Sequence, residues 1–247
     1  MKKIVGMALI VMMLVLCGCK SEDYKKAQSL LEYNRYDEAQ AIFEELGDYQ
    51  DSRDLVKECK YRKAENLYEK DFNYSDAQAI YKELGDYKDS RIKNCEMMMV
   101  PLQWFSPLTA SYEDVIHAKE TIACFESLSP EEQSKVSDKS LLPTDDMIAE
   151  AENELTLKYI ETMVIIEAEA KIKKSLINSS SYQDNPNKKN HAMAYWDEKD
   201  PTIVHGTVDM YYSATNSMGG RIDSNAYGHF DGTYINGVFK LLSIDFY

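Results

Sequence analysis

The chain has 247 residues, 44% of them hydrophobic, and a formal net charge of −14. That apolar content suits a folded core and argues against a disordered chain, and the length allows one to three domains. The acidity repels phosphate backbones, so nucleic acid is excluded as an expected partner.

Lys2 and Lys3 precede an apolar run from Ile4 to Leu16. The run is short for a bilayer span and fits the hydrophobic region of a signal peptide over residues 1–19. It ends in Leu16-Cys17-Gly18-Cys19. This resembles the lipobox of bacterial lipoproteins, in which an aliphatic residue at −3 and a small residue at −1 precede a cysteine. The resemblance implies that Cys19 is diacylated on sulfur and becomes the mature N-terminus. It also implies anchoring to the extracytoplasmic face of the cell membrane. Two acyl chains hold stably where one is marginal, because each buried methylene adds about 0.8 kcal/mol. An ordinary cleaved signal with incidental cysteines is the plainer alternative.

Residues 20–100 contain a sequence that occurs twice. Leu46-Gly47-Asp48-Tyr49-Gln50-Asp51-Ser52 returns as Leu84-Gly85-Asp86-Tyr87-Lys88-Asp89-Ser90. Upstream, Tyr36-x-x-Ala39-x-x-x-Phe43 returns as Tyr74-x-x-Ala77-x-x-x-Tyr81. Such self-similarity marks stacked units, none of which buries its apolar face alone. Each unit divides into two amphipathic helices. Ala27, Leu30 and Leu31 share a face of the first, and Ala39, Ile42, Phe43 and Leu46 a face of its partner. Gly47 is placed for a C-cap of positive φ. Asp51 or Ser52 is expected to cap the following helix, and Asn73 or Ser75 the second partner helix. A third opening helix runs from about Asp89 and stops before Pro101. This pattern resembles the tetratricopeptide repeat, although it lacks that family's closing proline and has a longer period. The resemblance implies a peptide- or protein-binding scaffold, with a purely structural spacer as the alternative. The repeat tyrosines have core spacing. An exposed subset among Tyr36, Tyr49, Tyr74 and Tyr87 could instead line a peptide groove.

Residues 101–155 read as a helical connector. Tyr112 to Leu128 keeps helical spacing, and Ser129-Pro130-Glu131-Glu132 is a strong helix start. Thr144-Asp145-Asp146 opens another helix, with its acids at the positive end of the dipole. The pattern from Ile116 to Ile148 resembles small three-helix spacers of Gram-positive surface proteins, which implies a rigid connector.

Residues 156–247 read as a helix followed by an antiparallel sheet. Tyr159, Met163, Ile166, Ala170 and, on the next stripe, Ile172 and Leu176 lie along a long helix expected to end near Asn178, and its continuity with the helix opening at Thr144 is left open. Val204 to Ser213 alternates as a half-buried strand, and residues 191–196 are a further candidate. Asn216 to Gly220 is turn chemistry. Strands are expected near 221–230 and 234–245, with Asp231-Gly232 as the turn between them. A helix over one face of the sheet completes an α+β fold. Lys174-x-Leu176-x-x-x-Ser180-Ser181 and Ala214-x-Asn216-Ser217-Met218-Gly219 resemble an uncharacterised C-terminal domain of Firmicutes lipoproteins, which carries no activity to transfer.

No catalytic constellation emerges. The four histidines have no HExxH spacing and no cysteine or acid cluster completes a ligand set, so neither a metal nor another cofactor is expected. His205 and His229 could be neighbours on adjacent strands. Cys59, Cys95 and Cys124 allow at most one disulfide within the chain, and buried free thiols are the expectation. The expected function is therefore a non-enzymatic, membrane-anchored interaction scaffold for a protein or peptide, binding through the repeats or the sheet tip at Asn216. The alternative is a cell-envelope hydrolase or sugar-active enzyme with its site in the C-terminal domain. A solute-binding lipoprotein is disfavoured by the lack of two α/β lobes.

Overall fold

The computed structural model describes residues 20–176 and 178–247, so Cys19 and the segment before it lie outside the described residues. The fold is α+β: consecutive packed helix pairs, then a five-stranded antiparallel sheet. The chain forms two compact units. One holds the described residues up to Phe105 together with Ile116–Pro143, the other Ser106–Val115 together with Thr144–Tyr247.

The first unit opens with α1 (residues 20–32), α2 (Tyr36–Leu46), α3 (Ser52–Glu69), α4 (Tyr74–Leu84) and α5 (Ser90–Met99). A 3-10 turn over Val100–Trp104 holds Pro101. The small residues Ala27, Ala39, Ala64 and Ala77 are fully buried and let the helices approach closely. Each repeat centres on one tyrosine. Tyr24 packs edge-on against Phe43 and Tyr49, each with ring centroids 5.8 Å apart. Tyr61 does the same with Tyr81 at 5.8 Å and Tyr87 at 6.1 Å.

The hydroxyls of these two tyrosines overturn one sequence expectation. Asp51 and Asp89 precede α3 and α5 but make no side-chain cap. Their carboxylates instead accept from the phenols: Tyr24 donates to Asp51, and Tyr61 donates to Asp89 at 2.5 Å. Ser52 makes no cap either, since its hydroxyl donates to the Tyr49 carbonyl at 2.6 Å. A phenol reaching from the opening helix of the repeat takes the carboxylate that could otherwise accept from the helix amides; either bond would be charge-assisted, and the phenol makes the short O–H···O⁻ kind. That bond, ahead of burial, pushes the Tyr24 phenol up to about 12. Tyr61 is raised too, first by burial and then by Asp89. The turn backbone is unusual in both repeats. Gly47 and Gly85 sit at φ 61° and 56° with ψ near −116° and −120°, a region open essentially to glycine. Gln50 and Lys88 also take positive φ.

Capping at Asn73 follows expectation: its side chain accepts from the Asp76 amide. The unit continues, from Ile116 onward, through α6 (Tyr112–Glu126) and α7 (Pro130–Lys135), which begins with a complete Ser129/Glu132 capping box.

In the second unit, α8 (Asp145–Ser175) is one helix of 31 residues, capped by Thr144. It therefore runs without a break through residue 155, the continuity that the sequence left open. The sheet holds β1 (Gln183–Asp184), β2 (His191–Trp196), β3 (Ile203–Thr215), β4 (Arg221–Ile235) and β5 (Val238–Phe246). Its order is β1-β3-β4-β5, with β2 also paired to β3. Of the buried positions of α8, Ile160, Val164, Ala168 and Ile172 pack on Val204, Val208, Met210, Phe230 and Ile244. Of the expected positions, Ile172 is buried and Leu176 packs against the same core, while Tyr159 and Ile166 of the first stripe are exposed. The neighbouring stripe wins because its small and branched side chains allow the helix to lie close to the sheet.

The second hairpin also differs from expectation. Asp231-Gly232 is not a turn but lies inside β4, at a register shift that leaves an extra residue on β5. The turn is Asn236-Gly237, at φ 52° and 80°, the dipeptide most suited to a two-residue hairpin. Gly206 shows close approach: a Cβ there would stand 2.1 Å from the Met193 carbonyl oxygen and 2.4 Å from the Phe230 ring. Two charged side chains of α8 reach sheet backbone. Glu161 accepts from the Ala194 amide on β2 at 3.0 Å, and Lys171 donates to the Ile244 carbonyl on β5.

The equivalent positions Phe43 and Tyr81 supply an internal test. The Tyr81 hydroxyl is buried without a hydrogen-bond partner. Tyr81→Phe should leave stability unchanged or raise it by up to about 1 kcal/mol. Tyr61→Phe strips the donor from Asp89 and should cost about 1.5–3 kcal/mol. Urea unfolding followed by far-UV circular dichroism distinguishes the two.

Candidate functional site

A groove of about 510 Å³ lies along α3, between Asn34 and Tyr36 on one side and Lys88 on the other. It follows from helical spacing. Glu58, Arg62, Glu65 and Glu69 recur every three or four residues, which places them along one side of the helix. At one end the charges neutralise each other. Glu58 accepts from Lys88 at 2.6 Å, Arg62 at 2.8 Å and the Tyr87 hydroxyl at 2.9 Å. The Lys88 ammonium also lies 4.5 Å from the Tyr61 ring centroid, a cation–π contact. Burial alone would push the Glu58 carboxyl up, but the bonds from Lys88, Arg62 and Tyr87 outweigh it and hold it at about 2. At the other end, Glu65 and Glu69 are not ion-paired among the described residues. The lining thus carries three acids and three bases, with Glu65 and Glu69 beside Lys70 at the end away from Lys88.

The tyrosines singled out from sequence occupy different settings. Tyr36 lines the groove and donates to Asn34 at 2.8 Å. Tyr49 packs against the first repeat core. Tyr74 is 38% exposed and packs edge-on against Tyr68. Tyr87 supports the groove from below through Tyr61 and Glu58. Asn216 organises the β3–β4 turn, where its side-chain oxygen accepts from the Met218 amide at 3.0 Å and the Gly220 amide at 2.8 Å. Sequence reasoning did not single out Glu58, Arg62 or Lys88. The signal for Lys88 was present as the one charged residue replacing Gln50 between the two motif copies.

In the second unit, a smaller concavity of about 380 Å³ is lined by Tyr112, Leu155, Tyr159 and Tyr234 among others. The sheet face turned away from α8 carries His205 and His229. His205 lies opposite Asp231, and His229 opposite Thr207, so the two histidines are offset rather than directly cross-strand. His205 Nδ1 is 2.5 Å from Asp231, and its Nε2 is 3.2 Å from Asp197. The bond to Asp231 raises the His205 pKa against the opposing effect of burial, with Asp197 adding to the rise. Ser243 donates to Asp231 at 3.3 Å. That hydroxyl meets the carboxylate and not the imidazole, so this group lacks the nucleophile–base contact of hydroxyl activation. His229 contacts the Tyr247 hydroxyl at 2.6 Å. Among the described residues no cluster of three or more His, Cys, Asp or Glu side chains is arranged to hold a metal. No described helix is long and apolar enough to cross a membrane.

No protein-family model, curated protein or solved structure matches the chain.

Glu58 gives a pH signature. A carboxyl held below its ordinary 4.5 stabilises the fold above that value and loses the contribution as pH falls towards about 2. Glu58→Gln should therefore be less stable than the parent at pH 7, with the gap closing as the pH approaches 2. Urea midpoints measured across that range test it.

Proposed function

We propose that the protein is a lipid-anchored scaffold on the outer face of the cell membrane, whose helical repeats dock an extended peptide segment rich in lysine or arginine. The groove along α3 carries this reading: it is open, polar, walled by Tyr36, and at one end Glu65 and Glu69 outnumber the single cation Lys70. A basic side chain placed there gains charge-assisted hydrogen bonds, while the backbone of an extended segment can lie along the helix. Lys88 and Arg62, already held by Glu58, keep that end from competing for the same cations. The anchor rests on Leu16-Cys17-Gly18-Cys19, which resembles a lipobox.

Two measurements test the two halves separately. For the groove, a fluorescent lysine-rich peptide is titrated against the purified chain. The Glu65→Lys, Glu69→Lys double variant should weaken binding about tenfold or more, an effect of about 1.4 kcal/mol or more, and added salt should weaken the parent. Equal binding by parent and variant removes the groove from the function. For the anchor, Cys19→Ala should abolish incorporation of labelled palmitate and move the protein out of the membrane fraction; retention there sinks the lipid assignment.

A further inference from the structure

The three cysteines of the described residues are not equivalent. Cys59 is fully buried in the first repeat core, where burial pushes its thiol up to about 11. Cys95 on α5 and Cys124 on α6 face each other with their sulfurs 2.6 Å apart. Two unbonded sulfurs prefer a wider separation, whereas a bonded pair stands at about 2.05 Å. Both carriers are held in place by packing. Cys95 belongs to a core with Ile92, Met99, Leu128 and Val136, and Cys124 and Phe125 pack against it. The sulfurs therefore meet because two helices are locked together, not through a chance rotamer on a loose loop.

We infer that Cys95 and Cys124 form a disulfide that fastens the last repeat helix to α6 when the protein meets a disulfide oxidant. The environment makes the roles unequal. Cys95 is fully buried and Cys124 partly exposed, so Cys124 meets the oxidant first. Asn94 donates to the Cys124 sulfur at 3.4 Å. The hydrogen bond from Cys95 draws the Cys124 thiol down; burial opposes it, while Asn94 and the charges of Arg91 and Lys82 assist. That favours the thiolate, the nucleophile in exchange. In the first step the Cys124 thiolate attacks one sulfur of the oxidant disulfide, forms a mixed disulfide and expels a thiolate. In the second, Cys95 gives up its proton and attacks the Cys124 sulfur, expelling the second thiolate. Two protein thiols are oxidised, one oxidant disulfide is reduced to two thiols, and the expelled thiolates take up the protons. No third cysteine, histidine or acid completes a metal site with the pair among the described residues, so pairing is the chemistry this geometry supports.

The bond would join positions 29 apart in sequence and so restrict the unfolded chain. It is independent of what the groove binds. The test uses the full chain equilibrated with oxidised glutathione, blocked with an alkylating reagent under denaturing conditions, and mapped by proteolysis and mass spectrometry. The expected product is a linked pair of peptides carrying Cys95 and Cys124, with Cys59 alkylated. The melting midpoint should rise on the order of 5–10 °C on oxidation and fall back with reductant. Cys59→Ser should keep that shift and Cys124→Ser should lose it. Peptide mapping of the parent decides the question even where a variant folds poorly. Full alkylation of both Cys95 and Cys124 after oxidation, a link to Cys59, or a link between two chains would each overturn the assignment.

Discussion

The phenol-to-carboxylate bond in each repeat is the constraint on which the helical unit depends. Tyr24 and Tyr61 each sit at the centre of an aromatic trio and each reach an aspartate in the turn that leads to the next helix. One side chain thereby joins the opening helix of a repeat, its partner helix and the turn beyond. With the aspartate engaged, the turn takes a backbone path that uses glycine at positive φ. In the second repeat that path presents Lys88 to Glu58 and lays it over Tyr61. The floor of the groove is therefore a by-product of the bond that sets the repeat geometry. A charged hydrogen bond shielded from water is worth more than an exposed ion pair, so the tyrosine matters more here than the many surface salt bridges of the same helices.

The second unit solves a different problem. A sheet of a few strands is marginal until one face is covered, and α8 supplies the cover through Ile160, Val164, Ala168 and Ile172. The β4–β5 hairpin needs the bulge near Gly232 because the Asn236-Gly237 turn fixes the register at one end while Ile244 and Phe230 must face the core at the other. An extra residue on β5 reconciles the two. The exposed Leu242 is the residue displaced by that compromise.

Much of this architecture was legible in the sequence. The duplicated motif marks the repeat joints, and Asn73, Ser129 and Thr144 cap the helices they precede. The alternation from Val204 shows which side of β3 faces the core. What escaped has a common cause: competition settled only in three dimensions. Asp51 can cap a helix locally, but a distant phenol takes it. Two apolar stripes run along α8, and the sheet selects the one with smaller side chains. Two Asx-Gly pairs compete for one hairpin, and core register decides between them. The proximity of Cys95 and Cys124 depends on how α6 packs, which spacing alone does not reveal. At the groove, the aromatic wall was legible at Tyr36, while the charge arrangement around Glu58 needed the helix pairing.

Glu161 and Lys171 engage backbone atoms on opposite border strands of the sheet from a single helix. Open borders are where a second copy of a β protein would add its own strand. Here the same docking that fills the core also engages one backbone group on each border, so the core cover and those contacts are lost together. Partial detachment of α8 would free an amide on one flank and a carbonyl on the other while uncovering the apolar face. How firmly one helix is seated then bears on resistance to edge-to-edge growth, alongside the composition of the strands themselves.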